Sequence, residues 1–291
     1  MRVLITGDKG FVGRHLARAC EARGWDVLGV DLVDGFDALD FFRRNTTRFD
    51  IAFHCAAIVG GRASIDGTPL GVATNLALDS WFMRWLQRTG TPRAVYFSSS
   101  AAYPVELQRQ GIEHMLTEDD IDLDSPELPD STYGWAKLTG EQLARRVEGC
   151  RILIPRPFSG YGSDQALEYP FPAIVKRAMT HVDGEPFTVW GHPGSARSWV
   201  HIDDVVGCVL AAIDADDIGP MNICTGVATT FEQLATMALA AVGCSAPIVG
   251  DTSKPTGVFW RVGDPERMQR VYTPKVTLAE GVRRAVEELS Q

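Results

Sequence analysis

Basic charge is scarce in this chain: 28 lysines and arginines stand against 37 aspartates and glutamates, for a net charge of −9. A sequence-independent grip on nucleic acid or on an anionic membrane rests on basic stripes, and the sequence has none, so neither partner is expected. An anionic ligand must instead be met locally, by helix ends and single arginines. Long apolar runs are also missing. None approaches the ~18 residues of a membrane span, and the opening MRVLITG gives way to glycine and charge too soon for a signal segment. Cysteine pairs are absent as well. Cys20, Cys55, Cys150, Cys208, Cys224 and Cys244 are scattered, with no C-x-x-C and no zinc clip. They read as free thiols in a reducing compartment, and the expectation is a soluble cytoplasmic protein without a metal site. What is present is ordinary globular composition, 45% hydrophobic and 22% charged over 291 residues. That length holds one large domain or two intimate ones at ~100–200 residues each.

Apolar runs bounded by turn residues alternate with segments of helical period, the pattern of strands and crossover helices in a parallel sheet. Strands are predicted at Val3–Thr6, Asp26–Val30, Asp50–Cys55, Arg93–Ser98 and Arg151–Pro155, and helices at Phe11–Arg23, Pro69–Thr89 and Thr132–Val147. In Pro69–Thr89, Val72, Leu76, Leu78, Phe82 and Leu86 share one helical face. Five such units predict a doubly wound nucleotide-binding sheet. After Gly160 the rhythm changes. Helices at Pro172–His181, Ile202–Asp214, Phe231–Val242 and Leu278–Leu289 and strands at Phe187–Trp190 and Met221–Cys224 suggest a smaller α+β cap. Pro104–Ser131 is a long irregular stretch that reads as a functional lid or as disordered, and its acidic run Glu118–Asp124 reads as a solvated lid.

The first strand runs straight into Gly7-x-x-Gly10-x-x-Gly13 and a helix. Gly7 permits the tight turn, Gly10 lets a pyrophosphate approach the backbone, and Gly13 lets the helix pack on the sheet, with the helix N-terminus holding the anion. A glycine triplet alone is weak. Asp31 at the end of the second strand strengthens it, because a carboxylate there accepts ribose hydroxyls and repels a 2′-phosphate, favouring NAD over NADP.

Tyr133 and Lys137 are four residues apart, on one face of a predicted helix. A phenol of ordinary pKa, ~10, is a poor base at neutral pH, and an adjacent ammonium and a nicotinium ring are the two available sources of help. The fourth strand ends in Ser98-Ser99-Ser100-Ala101-Ala102-Tyr103-Pro104, at the carboxyl edge where such sheets bind ligands. His54 and His201 read as packed structural residues. Trp81, Phe82 and Trp85 read as a core or oligomer face.

Further stretches match one pattern along essentially the whole chain: Asp50–Ala57, Arg156–Gly162, Arg197–Val205 and Met221–Gly226. With the glycine turn and the Tyr/Lys pair, they resemble the extended short-chain dehydrogenase/reductase family, whose members mostly act on nucleotide-diphosphate sugars. Val59–Gly61, Ser99–Pro104 and Asp251–Pro255 resemble its GDP-fucose synthase and GDP-mannose 3,5-epimerase branch. The resemblance implies a Rossmann-type doubly wound parallel sheet at 1–160 plus 197–218, and a substrate-binding cap at 161–196 plus 219–291. It implies NAD bound by Gly7, Gly10, Phe11, Val12, Gly13, Asp31, Ala56, Ala57, Tyr133, Lys137 and Pro157. Tyr133 would be the base, Lys137 would orient it, and Ser99 would be the catalytic serine, with Ser98 and Ser100 as register alternatives. Ser99, Ser100, Ser159, Arg197 and Arg261 would meet a nucleotide-diphosphate sugar, the two arginines as diphosphate clamps. Pairing of helices in the family implies a homodimer.

Departures from the family narrow the chemistry. Its 3,5-epimerising members need a cysteine where Ala101 stands and a histidine or lysine where Gly162–Gln165 offers only Asp164. Its 4,6-dehydratases need an Asp-Glu pair where Ser100-Ala101 stands. Ser159 replaces a common asparagine. With NAD, the Tyr/Lys/Ser trio alone can oxidise a sugar hydroxyl to a ketone, and if the keto sugar rotates about its diphosphate and takes the hydride back on its other face the outcome is 4-epimerisation, the first reading. A keto-sugar reductase or dehydrogenase is the alternative, and a 4,6-dehydratase comes third.

Overall fold

The computed structural model describes residues 1–61, 67–68, 70–254 and 256–290. Pro69, the expected start of the helix Pro69–Thr89, and Pro255, at the end of the Asp251–Pro255 match, lie outside them.

Six strands form one parallel sheet, in the spatial order Gly219–Ile223, Arg151–Pro157, Arg93–Tyr96, Ile51–His54, Arg2–Thr6, Asp26–Val30. Their side chains are apolar on both faces, as a parallel sheet covered by helices requires. Val3, Ile5, Ile51 and Phe53 enter one core with the helices Phe11–Ala22 and Ile202–Asp214. Leu4 and Ala52 enter the other, with Phe42, Phe82 and Trp85. The strand order reverses between Arg2–Thr6 and Ile51–His54, and the crevice at such a reversal is where ligands bind.

Gly219–Ile223 corrects the expected cap strand at Met221–Cys224. It pairs in register with Arg151–Pro157, Met221 opposite Pro155, as the sixth strand of the main sheet. The preceding helix Ile202–Asp214 is its crossover, and a strand after a crossover helix returns to the same sheet. The cap core gathers Phe171, Ile174, Phe187 and Leu234 from the helices Pro170–Met179 and Phe231–Ala241 and the strand Phe187–Trp190, together with Trp199.

The stretch Pro104–Ser131 is tied to the rest of the fold at several points. Met115–Leu116 pairs with Val262–Gly263, and Leu116 is buried. Glu118 accepts a hydrogen bond from the Asn222 backbone N–H at 2.7 Å. Asp120 is held by the Thr117 N–H at 2.7 Å. Glu118 and Asp120 are thus spent on tying the segment to the sheet edge and on capping, while Asp119, Asp122 and Asp124 are exposed. Phe82 and Trp85 are core residues, and Trp81 is half-buried with Arg43 and Arg84 against its ring.

Candidate active site

Gly7 takes a φ of 72°, in the left-handed region, and its N–H donates to Val30 O at 2.8 Å. A Cβ on Gly7 would stand 2.6 Å from Ala56 N, and one on Gly13 would stand 2.0 Å from Gly7 O. The helix Phe11–Ala22 begins at Gly10 with no side-chain cap and no acidic residue in its first turn, leaving its N–H groups for an anion. This cradle opens into a cavity of about 560 Å³ that also reaches Phe11, Val12, Asp31, Ala56 and Ala57. Pro157, Ser159, Tyr133 and Lys137 line its other side. The residues therefore fit a dinucleotide. Asp31 is fixed by the N–H groups of Lys9 at 3.1 Å and Val33 at 2.9 Å. Lys9 Nζ bridges Asp8 and Asp34, each at 3.1 Å.

Tyr133 and Lys137 lie on the helix Ser131–Ala144, whose glycines let it approach its neighbours closely. A Cβ on Gly134 would meet Ala101 O at 2.3 Å, and one on Gly140 would meet the Tyr96 hydroxyl at 1.9 Å. Tyr133 is thereby brought beside the Ser100–Ala102 turn, and Lys137 beside Tyr96. Lys137 is buried, its Nζ 5.8 Å from the Tyr133 ring centroid and 5.1 Å from that of Tyr96. Ser99 is half-buried and its oxygen accepts from Ala101 N–H at 3.1 Å, so its own proton is left to donate. Ser98 is spent elsewhere, donating to Glu141. Ser100 is buried and lines the cofactor cavity.

Two buried polar networks support these groups, and sequence reasoning missed both. Arg156 meets Glu141 through Nη2 at 2.6 Å and Nε at 3.0 Å, and donates to Tyr103 Oη and Glu118 O, both at 3.0 Å. Tyr103 in turn donates to Asn222 at 2.6 Å. In the second network His54 lies between Thr6 at 2.8 Å and Asp79 at 3.1 Å, and Asp79 accepts from Tyr96 at 2.6 Å. Burial drives the His54 pKa down, although Asp79 opposes it. Burial pushes the Asp79 carboxyl up, but the Lys137 charge and the His54 and Tyr96 hydrogen bonds outweigh it and leave it below the usual range. A neutral His54 donating from Nε2 to an ionised Asp79 satisfies both. His201 caps the helix Ile202–Asp214 by accepting from Asp203 N–H at 3.2 Å. Both histidines are structural.

A second cavity, about 530 Å³, lies under the cap and shares Ser99, Tyr133, Tyr169 and Arg261 with the first. Arg197 lines it, held by Ala196 O and Val258 O, both at 2.8 Å, with Phe231 against its guanidinium. Arg261 is bound to Asp130 at 2.7 Å and to Gln108 at 2.7 Å. Arg177, which no sequence motif singled out, also lines this cavity. It is braced on Thr188 O at 2.7 Å, and burial lowers its pKa. Ser159 holds a φ of 38° and Ser131 one of 63°, backbone strain at the two cavities of the kind that collects at functional sites. Asp164 is not among the residues lining either cavity. It accepts from Arg14 at 2.8 Å and contacts His15 at 2.9 Å on the first helix. Burial pushes its carboxyl up, and these two contacts more than reverse that.

The family model described as "NAD dependent epimerase/dehydratase family" matches residues 3–224. A dTDP-4-dehydro-6-deoxy-D-allose reductase of Streptomyces bikiniensis is 27% identical, over 92% of this chain and 90% of that protein. A GDP-L-fucose synthase of Azorhizobium caulinodans is 26% identical, over 97% of this chain and 94% of its own length. In fold, the chain is similar to the UDP-glucose 4-epimerase of Thermus thermophilus in complex with NAD, at a TM-score of 0.83 and 21% identity, over 100% of this chain and 99% of that one. With its glycine cradle, its Tyr133/Lys137 pair and a family match over residues 3–224, the chain belongs to the NAD-dependent epimerase/dehydratase family.

Proposed function

We propose that this chain is an NAD-dependent 4-epimerase of a nucleotide-diphosphate sugar, working through a transient 4-keto sugar. One observation carries the reading. Tyr133 and Ser99 line both the dinucleotide cavity and the cap cavity, while the nearby carboxylate of Asp130 is paired with Arg261 and position 101 is an alanine. At the shared end Tyr133 and Ser99 suit proton transfer at one hydroxyl, beside Tyr169, and Glu168 lines the cap cavity.

The glycine cradle would hold the pyrophosphate of NAD, with Tyr133, Lys137 and Pro157 at the far side of the cavity, and NAD would supply a hydride acceptor that can give the hydride back. Tyr133 would remove the proton from the sugar hydroxyl and later restore it. Ser99 would donate to the same oxygen as it becomes a carbonyl. Lys137, buried beside the Tyr133 ring, would orient it and bind the nicotinamide ribose. Arg197 would grip the diphosphate through a planar fork that lysine cannot supply, and Ser159 and Ser100 would bind nearby. Asp31 favours NAD over NADP. The reading includes a cytoplasmic homodimer paired through the adjacent helices Gly71–Thr89 and Ser131–Ala144, where Trp135 is exposed.

A second reading, reduction of a nucleotide-bound keto sugar, is favoured by the 27% identity to the Streptomyces reductase. A panel of UDP-, GDP-, CDP- and dTDP-sugars with product NMR separates the two. Formation of the C4 epimer with no net change at the nicotinamide absorbance band supports the epimerase. Stoichiometric consumption of the reduced cofactor by a keto sugar supports the reductase and overturns the first reading.

A further inference from the structure

Arg261 stands at a three-way junction. Its strand, Trp260–Gly263, lies beside Ala196–Arg197 with Arg261 directly opposite Arg197. Its Nη2 meets the Asp130 carboxylate at 2.7 Å, and the two side chains are only 13% and 12% exposed. Its Nε donates at 2.7 Å to Gln108, a buried side chain that itself donates to Tyr103 O at 3.1 Å and Pro104 O at 3.0 Å. Asp130 in turn belongs to the catalytic elements. Its N–H donates to Ala101 O at 2.9 Å, and its carbonyl accepts from Gly134 N–H at 3.1 Å, opening the helix that carries Tyr133. One guanidinium thus joins the strand of the proposed diphosphate arginine, the turn that follows Ser99, and the residue that opens the Tyr133 helix.

We propose, resting on the nucleotide-sugar reading above, that Arg261 and Asp130 are a pair of positioning residues. They set Tyr133 and Ser99 against the sugar held from Arg197, and Arg261 does not itself grip the diphosphate. The physical ground is that its charge is already matched by a carboxylate at hydrogen-bond distance, and its fork is directed at Asp130 and Gln108. Small errors in such placement are costly, because a displacement of ~1 Å at a reacting centre can cost about 10²-fold in rate.

Arg261→Met, Asp130→Ala and the double variant test this beside Arg197→Ala, with kcat, calorimetric affinity for the tightest-binding nucleoside diphosphate, NAD affinity and thermal unfolding measured on each. Arg261→Met and Asp130→Ala are expected to keep nucleoside-diphosphate affinity within about threefold while kcat falls on the order of 10–100-fold. The double variant should be no slower than the worse single, since both act through one contact. It should also unfold no earlier than either, so that loss of fold is excluded. Arg197→Ala should instead weaken the nucleoside diphosphate. Arg261→Met weakening it as much as Arg197→Ala does, or the two single kcat losses multiplying in the double variant, would overturn the proposal. No nucleoside diphosphate binding to the wild-type protein would overturn the nucleotide-sugar reading itself, and the pair's role with it.

Discussion

Replacing Arg156 by methionine should destabilise the protein severely. Arg156 is 1% exposed and Glu141 is fully buried, and the guanidinium supplies both charge-assisted bonds to that carboxylate, at 2.6 and 3.0 Å. Burial alone would pull the Arg156 pKa down, and Tyr103 and Glu141 more than reverse this, so the guanidinium keeps its charge. Methionine retains the apolar stem but leaves Glu141 with Ser98 as its hydroxyl donor and Tyr103 without its cation. Stranding one member of a buried pair costs about 3–5 kcal/mol. At ~2–4 °C per kcal/mol for domains somewhat smaller than this one, Tm should fall by roughly 10 °C. The assay is thermal unfolding by circular dichroism without cofactor, at neutral pH. Arg156→Met/Glu141→Leu is the decisive companion, because an apolar pair of similar volume removes the stranded charge and should recover much of the loss. A fall of less than about 2 °C for the single variant, or a double variant less stable than the single, would refute the reasoning.

Gly13→Ala should impair the cradle, since its Cβ would lie 2.0 Å from Gly7 O; overpacking of ~1–3 kcal/mol should weaken NAD binding about tenfold or more by calorimetry. Wild-type protein should bind NAD more tightly than NADP, and Asp31→Ser should narrow the ratio; equal wild-type affinities would mean that Asp31 does not face the ribose. Stability should decline in mild acid because burial depresses the His54 pKa in the folded state. The unfolded chain then takes up the proton first, so this contribution is complete above pH ~6.5 and is lost as pH falls toward the lower folded value. Thermal unfolding between pH 8 and 5 should show a steeper loss for wild type than for His54→Gln, and parallel curves would contradict the assignment.

Much of the dinucleotide site was legible because it is local: Gly7, Gly10, Gly13 and Asp31 follow from spacing along one strand, turn and helix. Tyr133 and Lys137 were legible for the same reason, one helical turn apart. The Ser98, Ser99, Ser100 register was not, because it depends on Glu141, a residue 43 positions later, taking up Ser98. Gly219–Ile223 was misplaced because a short strand carries no mark of which sheet it joins, and the crossover that assigns it is three-dimensional. The polar networks escaped for a related reason. Asp79 and Glu141 look like ordinary helix carboxylates until His54, Tyr96 and Arg156 are brought against them. Arg261 and Asp130 are 131 residues apart, so the expectation of a free diphosphate clamp could not include its partner.

The central claim, proton transfer by Tyr133 coupled to a hydride that leaves and returns at C4, is tested most directly with a nucleotide sugar deuterated at C4. Product from wild-type protein holding NAD should be the C4 epimer with the deuterium still at C4 by NMR and mass spectrometry. It should gain no solvent hydrogen at C3 or C5 and leave no accumulated reduced cofactor, and Tyr133→Phe should slow its formation by ~10²–10⁴-fold. Solvent hydrogen at C3 or C5, loss of the C4 deuterium to a released ketone, or turnover by Tyr133→Phe within about tenfold of wild type would contradict the account.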